Sequence, residues 1–309
     1  PNDLARRAWD FLRPYVRPAD VYVFSRDAYV WEGLDRDRAV TIPPSIDAFS
    51  PKNQELDPEQ VRSILVTAGL FTDSRSTGRP SFIHQDGSTG LVRRGADLSA
   101  GAPAPAFDAP TVVQVSRWDR LKDPLGVIRG FVDRVAPGSD THLLLAGPSV
   151  QAVADDPEGA AVLAECAQAW SELPGDIAAR IHLACLPMDD GEENAAIVNA
   201  LQRRADVVVQ KSLAEGFGLT VAEAMWKARP VVASRIGGIQ DQVAEGTAVL
   251  VDPTDLTSYG TAVRRLLDDP AGATRMGEEA QRRVRDSFLA PRHLVQYLEL
   301  IQPLLRRAG

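Results

Sequence analysis

Between residues 111 and 268 the chain repeats one pattern six times: a short, continuous apolar run followed by a helix-forming stretch. The runs are TVVQVS (111–116), THLLLAG (141–147), RIHLACL (180–186), DVVVQ (206–210), PVVAS (230–234) and AVLV (248–251). None alternates apolar with polar residues, so each strand needs cover on both faces, the mark of a parallel sheet. Six strand–helix units in order predict an open α/β domain with a Rossmann-like, doubly wound parallel sheet. Its helices are expected from Asp123-Pro124, over 157–172, 191–205, from Thr220, from Gly238 or Ile239, and over 254–268. Two more, over 271–287 and 291–306, close the chain.

The flanking sequence is less regular. Residues 4–17 have helical apolar spacing, with Pro14 expected to kink or end the helix. Residues 21–25 and 39–42 read as short strands, and Pro43-Pro44 breaks regular structure. Asp57 and Pro58 suit the N-cap and first position of a helix over 57–67. Residues 69–110 are rich in Gly and Pro and nearly aperiodic, and read as a long loop. Within it, SFIHQDGSTGLVRR suits a hairpin around Asp86-Gly87.

Composition excludes several classes of function. Net charge is −8, which argues against a protein that coats nucleic acid or anionic lipid. No apolar run approaches the ~20 residues of a membrane helix. Two cysteines, Cys166 and Cys185, make no disulfide framework, so a cytoplasmic location is expected. There is no G-x-x-x-x-G-K-[ST] loop and no G-x-S-x-G elbow, and Gly216-Phe-Gly218 lacks the third glycine of a dinucleotide fingerprint. His84, His142, His182 and His293 lack metal-ligand spacing, so neither a metal nor a cofactor is expected. His142 and His182 lie in or beside strands and read as structural. Asp35-Arg36-Asp37 reads as a solvated turn, and Asp189-Asp190 as a helix cap.

In open parallel sheets the ligand sits at the carboxyl ends of the strands, and three strand-end segments stand out. Residues 116–123, SRWDRLKD, hold Arg117, Arg120 and Lys122, side chains suited to phosphate oxygens or to a solvated charged loop. Residues 215–223, EGFGLTVAE, place two glycines before a helix start, where free N–H groups favour an anion. Glu223 also fits a capping box with Thr220. The third segment, Ser234-Arg235-Ile236-Gly237-Gly238, is either an ordinary turn or a close backbone approach to a ligand.

Together these segments resemble the retaining, nucleotide-sugar-dependent glycosyltransferases of the GT-B fold (glycosyl transferases group 1, or family 4). The resemblance rests on E-x7-E from Glu215 to Glu223, extended through EGFGLTVAEAMWKARPVVAS, on VSRWDRLKD before it, and on TIPPSID (41–47). It is strongest to trehalose synthases that join nucleotide-activated glucose to glucose. The resemblance implies that Arg117 and Lys122 hold the donor diphosphate and that Glu215 contacts the transferred sugar, as the catalytic set. It implies that Glu223 binds the ribose and that Phe217, Gly218, Leu219 and Thr220 meet phosphate and sugar. It also implies that Gly237 and Gly238 admit the backbone to the donor and that Leu186 and Pro187 line the base pocket. Two cations and a helix N-terminus would stabilise the leaving diphosphate, each such donor being worth ~3 kcal/mol. With no evident carboxylate nucleophile, front-face attack without a metal is the expected mechanism.

The resemblance also implies an organisation. Residues 1–42 would be a remnant of an N-terminal acceptor domain, and 43–110 an interdomain link, helix and long loop. Residues 111–290 would be the C-terminal, nucleotide-sugar-binding domain, and 291–309 a helix crossing back. The expected partners are a nucleotide-sugar donor, a sugar acceptor and the rest of the N-terminal domain; nucleic acid and a membrane span are not expected, and a homodimer stays open. This stretch alone is expected to bind donor nucleotide but transfer sugar poorly. A trehalose phosphorylase and a non-catalytic nucleotide-sugar-binding domain are the alternative readings.

Overall fold

The computed structural model describes residues 3–75, 78–98, 103–150 and 157–308. They divide into two units, Pro1–Ser45 with Ser287–Gly309, and Ile46–Asp286.

The first unit begins with α1 (Asp3–Val16), which runs unbroken through Pro14. The helix ends two residues beyond Pro14, which lacks the N–H for one hydrogen bond of the last turn. Leu4, Phe11, Leu12 and Tyr15 are exposed on this helix, and Trp9 stacks on Trp31 with ring centroids 5.4 Å apart. β1 (Tyr22–Phe24) and β2 (Ala39–Thr41) pair in parallel.

The second unit opens with a segment that runs over its own surface. α2 (Pro58–Thr67) has Asp57 as N-cap and Pro58 in its first turn, as its sequence predicts, and Gln60 completes a capping box. β3 (Ser81–Ile83) and β4 (Thr89–Leu91) form the antiparallel hairpin around Asp86-Gly87. Gln54 pins that hairpin, donating to the Ile83 carbonyl at 2.8 Å and accepting from the Ile83 N–H at 2.9 Å. Residues 69–110 are thus not simply a loop. Among their described residues, the Arg93 and Arg94 N–H groups donate to Glu193, and β5 (Asp97–Leu98) joins the main sheet.

The regular part follows the predicted alternation. It comprises β6 (Thr111–Val115), α3 (Pro124–Arg134), β7 (His142–Pro148), α4 (Pro157–Ser171), α5 (Gly175–Ala178), β8 (Ile181–Leu186) and α6 (Gly191–Arg204). Then come β9 (Val207–Gln210), α7 (Leu219–Trp226), β10 (Val231–Ser234), α8 (Ile239–Gln242), β11 (Val249–Val251), α9 (Leu256–Asp268) and α10 (Pro270–Ser287). The sheet order is β11-β10-β9-β6-β7-β8-β5, all parallel except β5, which runs antiparallel to β8. Every residue of β8, β9 and β10 is buried, as continuous apolar strands require. Asp190 caps α6 by accepting from the Glu192 and Glu193 N–H groups.

α11 (Ala290–Ala308) returns to the first unit. Arg292 donates to the Pro43 and Pro44 carbonyls at 2.9 and 3.0 Å. Leu294, Leu298 and Ile301 stay exposed along it.

His142 and His182 lie in β7 and β8, stacked with Nδ1 of one 3.0 Å from Nε2 of the other. Such a contact needs one N–H and one lone pair, so it breaks when both rings carry two protons. Burial, and then the neighbouring His142, pushes His182 down to about 4. Burial, with Arg180 nearby, lowers His142 against the weaker opposing effect of Asp140. Because the folded pKa lies below the unfolded one, stability is undiminished above pH ~6.5 and falls as the pH drops toward 4. The loss through His182 is expected to be roughly 3 kcal/mol. Urea denaturation at stepped pH should show it, and His182→Phe, which keeps a flat ring in the stack, should flatten that limb.

Candidate active site

β6 has β7 on one side and β9 on the other, so the winding of the sheet reverses between β6 and β9. At such a switch point the loops leaving the two strands diverge and open a crevice. Those loops are residues 116–123 and 211–218, two of the segments singled out in the sequence.

The first loop is anchored by Trp118. Its indole is buried and donates to the Pro148 carbonyl at 3.0 Å, beside Gly147, where a Cβ would sit 2.6 Å from the ring. The loop's cations then separate. Arg120 forms a two-pronged pair with Glu165 at 2.8 and 2.6 Å. Arg117 pairs with Asp119 at 2.9 Å on a side chain 67% exposed, a contact that does not join it to Lys122. Lys122 reaches from the first loop to the second, its Nζ 2.5 Å from Glu215 Oε2, with the two side chains only 16% and 12% exposed.

The second loop is shaped by its backbone. Gly218 caps α7 with φ +81°, a left-handed conformation that glycine adopts without steric cost. The chain of Gly216–Gly218 lies directly against the third segment: Gly238 N–H donates to the Gly216 carbonyl at 2.9 Å. Gln242, fully buried, donates to the Phe217 and Gly218 carbonyls at 2.5 and 3.2 Å. A Cβ on Gly237 would collide with the Glu215 carbonyl oxygen, and one on Gly238 would lie 2.8 Å from the Phe217 Cα. The Gly-Gly turn is therefore what lets 234–238 brace the loop that carries Glu215.

Glu223 is not a capping residue. Gly218 occupies the N-cap, so Thr220 lies inside α7 and its hydroxyl donates to Gln210 Oε1 at 3.0 Å. The Glu223 side chain is 7% exposed; Oε1 pairs with Lys52 at 2.9 Å, and Oε2 finds no hydrogen-bond partner among the described residues. Beneath it, Lys227 donates to the Glu223 carbonyl at 3.1 Å and to Asn53 Oδ1 at 3.0 Å, and burial pushes its ammonium down to about 7. At the end of β8, Leu186 is buried, and the Pro187 carbonyl accepts from Asn194 at 2.9 Å.

The structure thus gathers Lys122, Glu215, Phe217, Gly218, Gly237 and Gly238 in one contact network. Leu219, Thr220 and Glu223 follow on the first turns of α7, while Leu186 is the last residue of β8 and Pro187 follows it. Sequence reasoning missed Lys52 and Lys211. Lys211 is almost wholly buried, and its signal was a lysine directly behind the apolar run of β9.

Residues 191–283 match the family described as Glycosyl transferases group 1. The trehalose synthase of Rubrobacter xylanophilus is 35% identical over 300 residues, covering 97% of this chain and 61% of that protein. That of Pyrococcus horikoshii is 34% identical over 302 residues, with coverage of 97% and 61%. The fold resembles sucrose-phosphate synthase from Thermosynechococcus elongatus with a TM-score of 0.68 at 23% identity, covering 99% of this chain and 64% of that one. The chain spans about three fifths of the length of these curated relatives.

Gly237→Ala tests the brace. The added methyl group meets the Glu215 carbonyl and sits at φ +50°, so a loss of roughly 1–3 kcal/mol is expected on chemical denaturation. Gly246→Ala, with φ +79° but open space around its Cβ, carries the backbone strain without the collision and should cost less.

Proposed function

Because residues 191–283 match the glycosyl transferases group 1 family and the fold is of the GT-B type, we propose that the chain belongs to that family and is the donor-binding part of a retaining hexosyltransferase. The protein moves a hexose, glucose by its likeness to the trehalose synthases, from a nucleoside-diphosphate sugar to a sugar acceptor. The observation that carries this reading is the Lys122–Glu215 pair across the sheet's switch point, beside the N-terminus of α7. It sets a cation, a carboxylate and a helix start around one crevice.

Their roles follow from charge. As the bond from the anomeric carbon to the phosphate oxygen breaks, negative charge grows on the diphosphate, and the Lys122 ammonium and the α7 N–H groups stabilise it. Arg117, exposed on its loop, adds a second cation by leaving Asp119. Glu215 accepts hydrogen bonds from hydroxyls of the sugar, and the unpartnered Glu223 Oε2 accepts from the ribose. The acceptor hydroxyl attacks the same face that the diphosphate leaves and gives its proton to a released phosphate oxygen, which retains the anomeric configuration. Leu186 and Pro187 flank the base, and the steps described draw on no metal. The remainder of the N-terminal domain supplies the acceptor site.

The activity is tested by release of nucleoside diphosphate from UDP-glucose or ADP-glucose with glucose as acceptor, using the full-length gene product. Absence of turnover with every sugar donor would remove the enzyme reading, and turnover that depends on inorganic phosphate but not on nucleotide would identify a phosphorylase. For the site itself, Lys122→Ala should weaken nucleoside diphosphate binding by about fivefold or more, measured by calorimetry. The loss should persist in Lys122→Ala/Glu215→Gln, because what is removed is a cation and not merely the partner of Glu215.

A further inference from the structure

Lys122 sits on a backbone that is held from below by buried polar groups outside the donor site. The next residue, Asp123, has φ +46° and ψ +50°, a left-handed conformation unusual for any residue but glycine. It serves as N-cap of α3, accepting from the Gly126 N–H at 3.1 Å. Its other carboxylate oxygen pairs with the ammonium of Lys211, which also donates to the Pro253 carbonyl at 2.8 Å. Lys211 is 1% exposed, so its charge has no recourse to water. Gln114, equally buried at the end of β6, completes the arrangement. Its side-chain oxygen accepts from the Lys211 N–H at 3.0 Å, and its nitrogen donates to the Lys122 carbonyl at 3.0 Å. The carbonyl of Lys122 and the carboxylate of its neighbour are therefore both tied to the first residue beyond β9.

We propose that Lys211 is a positioning residue for donor binding. Through Asp123 and Gln114 it fixes the backbone of Lys122, so that the Lys122 ammonium meets the diphosphate from a preset direction. The argument is one of cost. A left-handed aspartate persists only where its surroundings over-determine it. A fully buried ammonium persists only when paired and hydrogen-bonded. Each defect is satisfied by the other, and the one exposed consequence of the arrangement is the direction of Lys122. A purely structural ion pair would have no need to span the two strands at the switch point, whereas a device for aligning one strand-end loop against the other must do so. This inference rests on the reading of Lys122 as a diphosphate ligand.

A binding cycle separates the two. UDP, ADP and GDP are titrated by calorimetry into the full chain and into Lys122→Ala, Lys211→Met and Lys122→Ala/Lys211→Met, each checked for folding by circular dichroism. Lys211→Met is expected to weaken the diphosphate that binds by at least tenfold while the protein remains folded. In the Lys122→Ala background the same change should have no further effect, because Lys211 acts only through Lys122. Lys211→Arg, which keeps a cation able to reach Asp123, should recover most of the affinity. If Lys211→Met fails to fold, Lys211→Met/Asp123→Gly removes both charges and gives the left-handed position its preferred residue. That protein is expected to fold and to bind as weakly as Lys122→Ala. Wild-type affinity in a folded Lys211→Met or Lys211→Met/Asp123→Gly protein, with Lys122→Ala impaired, would overturn the positioning role alone. So would an equal loss from Lys211→Met with and without Lys122. Wild-type affinity in Lys122→Ala would overturn the diphosphate reading on which it stands.

Discussion

A parallel sheet covered by helices on both faces leaves its polar chemistry only one place to go. Inside β8, β9 and β10 every position is buried, and an unpaired polar group there would cost about 1–3 kcal/mol. Chemistry must therefore sit where the strands end and the backbone turns outward. The winding order adds a second restriction, because only between β6 and β9 do successive connections run to opposite sides. Lys122, Glu215, Gln114 and Lys211 all lie on those two strands or in the loops that leave them. The crevice is a consequence of the topology before it is a property of any residue.

Within the crevice the backbone does much of the shaping. The Glu215–Gly218 loop has no regular structure, yet its carbonyls are engaged: Gly216 by the Gly238 N–H, and Phe217 and Gly218 by the Gln242 side chain. That leaves the N–H end of α7 as the loop's outstanding polar capacity, since Gly218 supplies no side-chain cap. A serine or aspartate at that position would satisfy those donors internally. A glycine leaves them directed at whatever occupies the crevice.

Much of this was legible before the structure. The six apolar runs gave the sheet, because continuous burial on two faces has few other solutions, and the caps at Asp57 and Asp190 obey local hydrogen-bond rules that act over three residues. What could not be read depended on contacts between distant segments. Thr220-x-x-Glu223 has the spacing of a capping box, and only the left-handed Gly218 shifts the helix start so that Thr220 turns to Gln210 instead. Between residues 69 and 110 the sequence lacks periodicity, and the described residues there are held from outside: Glu193 accepts from the Arg93 and Arg94 N–H groups at 2.6 and 2.7 Å, and Gln54 holds the hairpin. Arg117, Arg120 and Lys122 look equivalent in sequence. Their partners, Asp119, Glu165 and Glu215, distinguish them, and two of those three are more than forty residues away.

The two acids of the E-x7-E spacing show why distant segments had to converge. Each carboxylate is nearly buried, and an uncompensated charge at such depth would cost several kcal/mol. Each has its own lysine from a different part of the chain, Glu215 from the loop after β6 and Glu223 from the segment before α2. That segment is not loosely attached: Asn199 binds the Pro51 and Gln54 carbonyls at 3.0 and 2.9 Å, and Trp226 binds that of Asn53 at 3.0 Å. Pairing each acid with one cation lets two carboxylates line a crevice without making it repel anions. On the function proposed above, Lys122 turns from Glu215 toward a diphosphate while Glu215 turns to the hydroxyls of the sugar it carries. A net charge of −8 does not count against the anionic donor proposed above, because the charge that matters is the balance within a few ångströms and not the sum over the chain.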